Sequence, residues 1–399
     1  MKKVLFVINT LGRAGAEMAL LELLRELNKE ELEISLFVLT GQGEMIKDLP
    51  EGVKLLNRSY DECSVHTADG KKRLMKTSVK SLFCRGTVVR LLPYLFTQLL
   101  DMLRKRRILP DKLLWRVLSD GAKRFEDTYD LAVAYIEGGS TYYVADHVKA
   151  KKKVAFFHVD YEMAGYTRAL DKDCYVSFDK VFTVSDEVKT AFLNVYPECQ
   201  KKTEVFHNLI NRKRVLDMAE QPGGFTDRYE GYRILTVGRL TEQKDFAQSI
   251  RAMALLKQQG IKARWYILGE GDQRSTLERL IRELSLEQDF FLPGVVENPY
   301  CYMKQADIYV HATRFEGKSI AIQEAGILGK PMLVSDCSGN REQVEHGADG
   351  LLCDLTPEAI CDGILQLLSS EEKRKEYGRR AAGHYETEGK EVGKLLQLL

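Results

Sequence analysis

Continuous apolar runs, each followed by a turn and a helix-like pattern, recur along the chain. In the first half these runs occupy 4–8, 33–39, 131–136, 153–158 and 180–184. In the second half they occupy 233–237, 264–268, 308–311 and 331–334. A continuous apolar run is typical of a parallel strand covered on both faces, and strands that alternate with helices are typical of doubly wound folds. We therefore predict an α/β protein with two Rossmann-like doubly wound domains, which the length of 399 residues also favours.

The strand pattern stops near residue 205 and restarts at 233, so a boundary is expected between these points. The segment 217–230 contains Gln221-Pro-Gly-Gly224 and is predicted to be a linker. We predict an N-terminal domain at 1–210, with a basic helical insertion at about 61–124, and a C-terminal domain at 211–399. The last helix is expected to pack back on the N-terminal domain.

Composition indicates a soluble globular protein, with 44% hydrophobic and 29% charged residues. The eight cysteines are scattered without a C-x-x-C pair, which predicts free thiols in a cytosolic protein and neither a disulfide frame nor a zinc site. The first apolar run is too short for a signal peptide, and no segment approaches the roughly 18 apolar residues of a membrane span. The expected location is cytosolic, either free or attached to a membrane from the cytosolic side.

The net charge of +1 hides a basic region between Lys71 and Arg124, where fifteen Lys or Arg stand against three Asp. The apolar segment Leu91–Leu103 lies in this region and is followed directly by Arg104-Lys-Arg-Arg107. One interpretation is a helix at an anionic membrane surface. The other is a solvated basic helix that packs its apolar face on its own domain. Nucleic acid is a third possibility, but no zinc finger, helix-turn-helix or RNA-binding signature accompanies the charge.

A candidate anion site lies at the turn Glu316-Gly317-Lys318, between a strand that ends at His311 and a helix predicted from about Ser319. Unpaired N–H groups and the helix dipole make such a helix start suitable for a phosphate. Glu316 stands in the turn, and Glu324 lies about a turn and a half into the helix. The spacing of the two carboxylates is by itself common in helices.

In the first half, three strand ends carry polar residues or glycine. The loop Leu11–Glu17 joins the first strand to a helix predicted at 16–27, but it has no G-x-G-x-x-G and so is not a dinucleotide fingerprint. Glu137 and His158 follow two other strands, at the edge where ligands of doubly wound sheets gather. A lone histidine in such a place is more often a structural hydrogen bonder than a catalyst.

The order of motifs in the second half resembles the retaining glycosyltransferases of family 4, which have the two-domain GT-B fold with a cleft between the domains. The resemblance rests on a set of motifs in order: Val237-Gly-Arg-Leu-Thr-Glu-Gln-Lys-Asp-Phe246, Leu268-Gly-Glu-Gly-Asp272, Gly294, Asn298-Pro-Tyr300, Ala306-Asp307 and Glu316-Gly with Glu324-Ala. In the first half it rests more loosely on Gly15-Ala-Glu17, His158 and His207-Asn208.

The resemblance implies roles for individual residues. Arg239 and Lys244 would hold the diphosphate of a nucleotide sugar, whose growing negative charge needs fixed cations. Glu324 would bind the ribose hydroxyls, and Glu316 would face the donor sugar as a catalytic group together with His158. Further donor-binding positions would be Gly15, Gly238, Gly317, Lys318, Ser319 and Ile320.

The function implied is transfer of a hexose from a nucleotide diphosphate sugar, UDP-linked, with retention of configuration and without a metal or other cofactor. A glycan or lipid-linked acceptor in bacterial surface polysaccharide synthesis would bind the first domain; no nucleic acid partner is expected. Alternatives are a nucleotide-sugar epimerase or a phosphorylase on the same fold, or an inactive partner subunit. The chain departs from the family pattern at Ala14, where many relatives have glycine, and at Lys318-Ser319, where many have Phe-Gly.

Overall fold

The computed structural model of the protein describes residues 1–65, 67–104, 109–384 and 390–399. By contacts between Cα atoms the chain divides into two compact units. The first comprises Met1–Leu209 and Gly389–Leu399, and the second comprises Ile210–Glu388. The final described helix therefore belongs to the first unit.

The first unit is built on one parallel sheet of seven strands in the order β3-β2-β1-β4-β5-β6-β7. The strands are β1 (Lys2–Ile8), β2 (Leu32–Val38), β3 (Lys54–Leu55), β4 (Thr128–Ala134), β5 (Lys149–Phe157), β6 (Lys180–Thr183) and β7 (Thr203–Val205). The helices of this unit are α1 (Gly15–Leu27), α2 (Ala68–Phe83), α3 (Thr87–Arg104), α4 (Pro110–Gly121), α5 (Gly139–His147), α6 (Arg168–Asp171), α7 (Asp186–Val195) and the C-terminal α15 (Lys390–Leu396).

The second unit has six parallel strands in the order β10-β9-β8-β11-β12-β13. The strands are β8 (Tyr232–Val237), β9 (Ala263–Leu268), β10 (Phe290–Gly294), β11 (Ile308–His311), β12 (Met332–Ser335) and β13 (Leu351–Cys353). The helices are α8 (Arg212–Ala219), α9 (Phe246–Gln258), α10 (Arg274–Glu283), α11 (Tyr300–Gln305), α12 (Ile320–Ile327), α13 (Pro357–Leu368) and α14 (Glu371–His384).

Both sheets are covered on both faces, as their apolar runs predict. In β1, Leu5 and Val7 join one buried cluster while Phe6 and Ile8 join another on the opposite face. The same alternation occurs in the second unit, where neighbouring residues of β8 and β11 enter different clusters. All strands of each sheet run parallel, but the strand order reverses between two central strands, β1 and β4 in the first unit and β8 and β11 in the second. Ligands of doubly wound sheets bind at such switch points, outside the carboxyl ends of the strands.

Several local predictions are confirmed and others need correction. β11 has the predicted bounds, and Ser185 caps α7 by accepting a hydrogen bond from the Val188 N–H at 3.2 Å. The predicted linker at 217–230 is wrong at its start, because α8 extends to Ala219. The Asn211 side chain accepts from the Arg214 N–H and so caps a helix start that the linker prediction did not consider. The cysteines among the described residues are all free thiols.

The basic insertion is helical, as predicted, and consists of α2, α3 and α4. Of the predicted basic run Arg104–Arg107, only Arg104 lies within the described residues. Both α2 and α3 pack on α4, and the inner face of α3 enters the core beneath the sheet through Tyr94 and Met102. None of the described helices combines the length and the hydropathy that crossing a bilayer requires.

Candidate active site

A buried charged cluster lies at the switch point of the second unit. Lys244 ends the 3₁₀ turn Glu242–Lys244 that follows β8, and His311 is the last residue of β11. Glu316 lies in the turn between β11 and α12. Because β8 and β11 are adjacent parallel strands, their carboxyl ends bring these three residues together although 72 positions separate Lys244 from Glu316.

The three side chains contact one another directly. Lys244 Nζ contacts Glu316 Oε1 and lies 3.2 Å from His311 Nε2. His311 Nε2 is 3.0 Å from the same carboxylate oxygen. Side-chain exposure is 12% for Lys244, 11% for Glu316 and 2% for His311, so the cluster is largely shielded from water. Shielding strengthens the attraction between these charges relative to an exposed pair.

The partners of His311 indicate its protonation. An ionised carboxylate only accepts hydrogen bonds, so Nε2 donates to Glu316, and the Tyr309 hydroxyl lies 3.3 Å from Nδ1. Burial and the charge of Lys244 lower the pKa of His311, which favours the neutral ring. Burial alone would raise the pKa of Glu316, but Lys244 and the hydrogen bond from His311 outweigh it and lower the pKa to about 2. Glu316 is therefore a fixed negative charge at neutral pH.

The backbone on both sides holds the turn that carries Glu316. The Arg314 N–H donates to the Gln243 carbonyl at 3.0 Å, and Gln243 Nε2 donates to the Phe315 carbonyl at 2.8 Å. From the other side, Gly339 approaches so closely that an added Cβ would lie 2.3 Å from the Gly317 carbonyl oxygen. Gly339 also has φ of +79°, a conformation that favours glycine. The position of Glu316 is thus set by segments that follow β8 and β12.

The helix after the turn begins at Ile320, one residue later than predicted, and Ser319 occupies the cap position. The first N–H groups of α12 have no carbonyl of their own helix to bind, so this end suits an anion. Glu324 is only 4% exposed, and its Oε1 accepts a hydrogen bond of 2.7 Å from the Tyr300 hydroxyl on α11. Burial raises the pKa of Tyr309, and the charges of Glu324 and Glu316 add to this effect. Both carboxylates therefore contribute to the raised pKa of Tyr309, which lies beside the cluster.

Arg239 lies in the same turn as Lys244 but is not part of the cluster. Its side chain is exposed, and among the described residues it has no ion pair or side-chain hydrogen bond. At Gly238 an added Cβ would lie 3.6 Å from Lys244 Cε, so the lysine side chain passes beside this glycine. The structure thus brings Lys244 and Glu316 together and leaves Arg239 open to solvent. Among the described residues, no three His, Cys, Asp or Glu side chains form a group that could hold a metal ion.

In the first unit, His158 and Glu137 lie at the carboxyl ends of β5 and β4. The His158 N–H donates to Glu137 Oε2 at 3.0 Å, and His158 Nε2 is 2.8 Å from the Tyr135 carbonyl. A carbonyl only accepts, so Nε2 carries the hydrogen and Nδ1 is left as an acceptor in the neutral ring, which burial favours by lowering the pKa. Gly15 is the first residue of α1. The catalytic role predicted for His158 and the donor-binding role predicted for Gly15 remain predictions.

Sequence reasoning missed His311, Tyr300 and Gly339. His311 ends a buried strand at the edge where ligands gather, and this position was the signal that could have identified it. Tyr300 was noted only as part of a motif, and its hydrogen bond to Glu324 depends on the packing of α11 against β8 and the neighbouring helix. Nothing in the local sequence indicates which turn Gly339 approaches.

Residues 223–384 match the family model described as glycosyl transferases group 1. The match contains every residue of the cluster and α12, and it ends before α15. It lies within the second unit, although it omits α8, and it includes no residue of the first unit.

Curated relatives match mainly over part of the chain. A Campylobacter jejuni protein named N-acetylgalactosamine-N,N'-diacetylbacillosaminyl-diphospho-undecaprenol 4-alpha-N-acetylgalactosaminyltransferase is 33% identical over 183 residues, which is 45% of this chain and 48% of that protein. The poly(glycerol-phosphate) alpha-glucosyltransferase of Bacillus subtilis is 23% identical over 223 residues, which is 55% of this chain and 32% of that protein. The chain spans between about a third and a half of the length of the first curated relatives that it matches.

Solved structures match over the whole chain. The structure of Anabaena HepE in complex with UDP-glucose superposes with a TM-score of 0.69 at 16% identity, covering 100% of this chain and 98% of that one. The structure of TarM, a Staphylococcus aureus protein, superposes with a TM-score of 0.67 at 13% identity, covering 100% and 98%. These neighbours are GT-B glycosyltransferases, so the predicted fold class is confirmed.

The cluster predicts a pH dependence of stability. The lowered pKa of Glu316 contributes stability that is present above about pH 4.5 and is lost as the pH falls towards 2, on the order of 3 kcal/mol in all. Replacing His311 with leucine removes one hydrogen bond to the carboxylate and raises its folded pKa. The second unit of this variant should therefore gain less stability between pH 2 and 5 than the wild type does.

Unfolding followed from pH 2 to pH 7 measures this difference. A matched control is His346→Leu, because His346 is an exposed histidine of the same unit that bonds a backbone N–H rather than a carboxylate. Equal acid profiles for His311→Leu and the wild type would contradict the assigned hydrogen bond.

Proposed function

We propose that the protein is a retaining, metal-independent glycosyltransferase that moves a hexose from a UDP-linked sugar to a glycan or lipid-linked acceptor. The observation that carries the proposal is the buried cluster of Lys244, His311 and Glu316 at the switch point of the second unit. The family match over 223–384 supports glycosyl transfer, and solved structural neighbours contain UDP or UDP-glucose.

The donor would bind at the carboxyl edge of the second sheet. The diphosphate lies over the first turn of α12, where the N–H groups of Lys318, Ser319 and Ile320 bind it, and the open guanidinium of Arg239 pairs with a phosphate oxygen. Glu324, oriented by Tyr300, accepts hydrogen bonds from the ribose hydroxyls. Gly238 and Gly317 leave room for close approach of the ligand.

Lys244, Arg239 and Glu316 each stabilise charge or orient the substrate as the bond between sugar and phosphate breaks. Lys244 and Arg239 stabilise the negative charge that grows on the leaving nucleoside diphosphate, which is the role a metal ion has in other transferases. Glu316, held ionised, orients the sugar hydroxyls or stabilises positive charge at the anomeric carbon. The acceptor hydroxyl attacks that carbon from the same face as the leaving phosphate, whose oxygen takes the acceptor's proton. This course gives retention without a protein nucleophile.

The acceptor proposed is a glycan or a glycan carried on a lipid, as in the assembly of bacterial surface polysaccharides. The Campylobacter relative is named for an acceptor on diphospho-undecaprenol, and the Bacillus relative for poly(glycerol phosphate). The enzyme would then work in the cytoplasm at the inner face of the cell membrane. No cofactor besides the nucleotide sugar is required in this proposal.

A thermal-shift and calorimetry screen with UDP, GDP, ADP and their common sugar conjugates tests the donor site. We expect one nucleotide family, UDP, to bind, and Arg239→Ala to weaken its binding by about 10- to 100-fold, because a charge-assisted bond to phosphate contributes about 1.5–3 kcal/mol. Arg251→Ala is the matched control, since Arg251 is an exposed arginine of the same unit on α9. Equal loss in both variants, or no nucleotide binding at all, would reject the donor site and favour an inactive subunit.

Product analysis separates the remaining alternatives. With UDP-sugar and acceptor present, the proposed transferase yields UDP and a glycosylated acceptor whose anomeric proton coupling in NMR matches that of the donor. A new nucleotide sugar formed without an acceptor would instead identify an epimerase, and sugar phosphate formed from a glycan and phosphate would identify a phosphorylase.

A further inference from the structure

The helix α3 of the first unit is apolar on two opposite faces. Its inner side chains repeat at intervals of three or four residues and are buried; they are Thr87, Leu91, Tyr94, Gln98 and Met102. Its outer side chains repeat at similar intervals and are exposed; they are Val89, Leu92, Phe96, Leu99, Leu100 and Leu103. Packing on the unit's own core therefore accounts for only one of the two faces.

The neighbouring helix α2 extends this exposed surface. Met75, Val79 and Phe83 recur every fourth residue on one face of α2, and the short 3₁₀ turn Cys84–Gly86 joins them to α3. We call these three side chains and the six exposed ones of α3 the outer apolar face. In the part of the chain that the structure describes, fifteen large apolar side chains are exposed, and nine of them belong to this face. Such a concentration marks an interaction surface rather than scattered exposure.

The outer apolar face is accompanied by positive charge. Lys72, Lys76 and Lys80 also recur every fourth residue on α2, in a row next to Met75 and Val79, and all three are exposed. Lys72 pairs with Asp69 at 3.5 Å. Within the described ranges, the side chains of Lys76 and Lys80 have no ion pair or hydrogen bond.

We infer that the outer apolar face docks on a lipid bilayer that carries anionic headgroups. An amphipathic helix with large apolar side chains on one face and lysines beside them lies in the interface between headgroups and acyl chains. The apolar row enters the acyl boundary while the lysine row pairs with phosphate groups, and this complementarity of charge selects an anionic membrane. A second copy of the chain is a poorer occupant, because two lysine rows would then face each other.

This surface belongs to the first unit and shares no residue with the charged cluster, which belongs to the second unit. The inference does not depend on glycosyl transfer. The sequence left two interpretations of the basic insertion, a helix at a membrane surface or a helix that packs on its own domain. The α3 helix both packs on its own domain and presents a second apolar face, so the two interpretations of the basic segment are not exclusive.

Flotation of the full-length protein with vesicles tests the inference. We expect binding to vesicles of phosphatidylcholine that contain phosphatidylglycerol, and weaker binding to phosphatidylcholine alone or at high salt. Replacing Leu92, Phe96 and Leu103 together with serine should weaken binding by at least about 100-fold, because each side chain loses its burial in the interface. Lys76→Glu with Lys80→Glu should weaken binding to the anionic vesicles by at least about 25-fold, since each lysine near the surface contributes about fivefold.

The matched control variants carry the same kinds of substitution at exposed residues outside the outer apolar face and its lysine row. Met163, Val176 and Val295 are exposed apolar residues that can be replaced together with serine, and Lys262 and Lys373 are exposed lysines that can be replaced with glutamate. Both controls should bind like the wild type, and circular dichroism should show that every variant is folded. Failure of the wild type to float with anionic vesicles overturns the inference. A dimer in analytical ultracentrifugation that the triple serine variant abolishes, without vesicle binding, would also overturn it and assign the face to self-association.

Discussion

Replacing Lys244 with alanine is expected to lower the rate of glycosyl transfer by at least about 100-fold. In the proposed mechanism this ammonium stabilises charge that develops on the leaving diphosphate, and removing one such fixed group from a shielded site commonly costs about 100- to 1,000-fold in rate. The substitution also leaves Glu316 buried without its ion-pair partner, which should destabilise the second unit by about 3 kcal/mol or more. Steady-state kinetics and urea unfolding measure the two effects.

The double variant Lys244→Ala with Glu316→Gln distinguishes catalysis from stability. Neutralising residue 316 removes the uncompensated charge, so most of the lost stability should return while activity stays low. Lys257→Ala is the matched control, because Lys257 is also ion-paired in the second unit, at 2.7 Å to Asp289, but lies far along α9 from the cluster. If the double variant regained activity together with stability, Lys244 would be a structural residue and the proposed role would be wrong.

Replacing Asp171 with alanine should destabilise the first unit by about 4 kcal/mol. Asp171 is fully buried, and it accepts hydrogen bonds from the hydroxyls of Tyr142 at 2.6 Å and Tyr161 at 2.5 Å. Removing the acceptor leaves two buried donors unpaired, each costing about 1–3 kcal/mol. The contacts of Arg116 remain in this variant, because its guanidinium lies 3.7 Å from the Tyr142 ring and donates to the backbone carbonyl of residue 171. Chemical unfolding of Asp171→Ala and of the wild type measures the loss in the free energy of unfolding.

Asp171→Asn is the informative companion variant, since the amide oxygen can still accept from one tyrosine and should lose much less stability. Burial raises the pKa of Asp171 to about 6, so the native state keeps a proton that the unfolded state has released. The resulting stability is present below about pH 4 and is lost as the pH rises through 6, a slope that Asp171→Asn should lack. Asp127→Ala, at an exposed aspartate, is the control and should be nearly neutral. A similarly small effect at Asp171 would contradict the hydrogen-bond network.

Much of the fold follows from local patterns. The apolar runs identified the main strands of both units because strands covered on both faces need continuous apolar residues. The turn at 316–318 and the helix start after it were also predictable, since glycine and serine stop one element and begin another. Boundaries were less accurate where a side-chain cap decides them, as at Asn211, where α8 occupies part of the predicted linker.

The candidate site was only partly predictable. Motif resemblance identified Lys244 and Glu316 as separate ligands of a donor, yet the structure shows them as partners of each other through a shared carboxylate oxygen with His311. Their pairing depends on β8 lying beside β11, which follows from the strand order and not from any neighbouring residues. The contact between Tyr300 and Glu324 also depends on the tertiary structure, because the two residues belong to the helices that precede and follow β11 along the chain.

The sequence by itself determined the main strands of both units, the helix that follows the turn at 316–318, and which charged residues stand in turns at strand ends. These properties depend on the period of apolar residues and on backbone preferences, which act over a few positions. The tertiary structure alone decided that His311 contacts both Lys244 and Glu316, and that the second apolar face of α3 stays exposed. Both outcomes depend on which distant segments pack together, because a side chain's partners, burial and pKa are set by neighbours in space rather than along the chain.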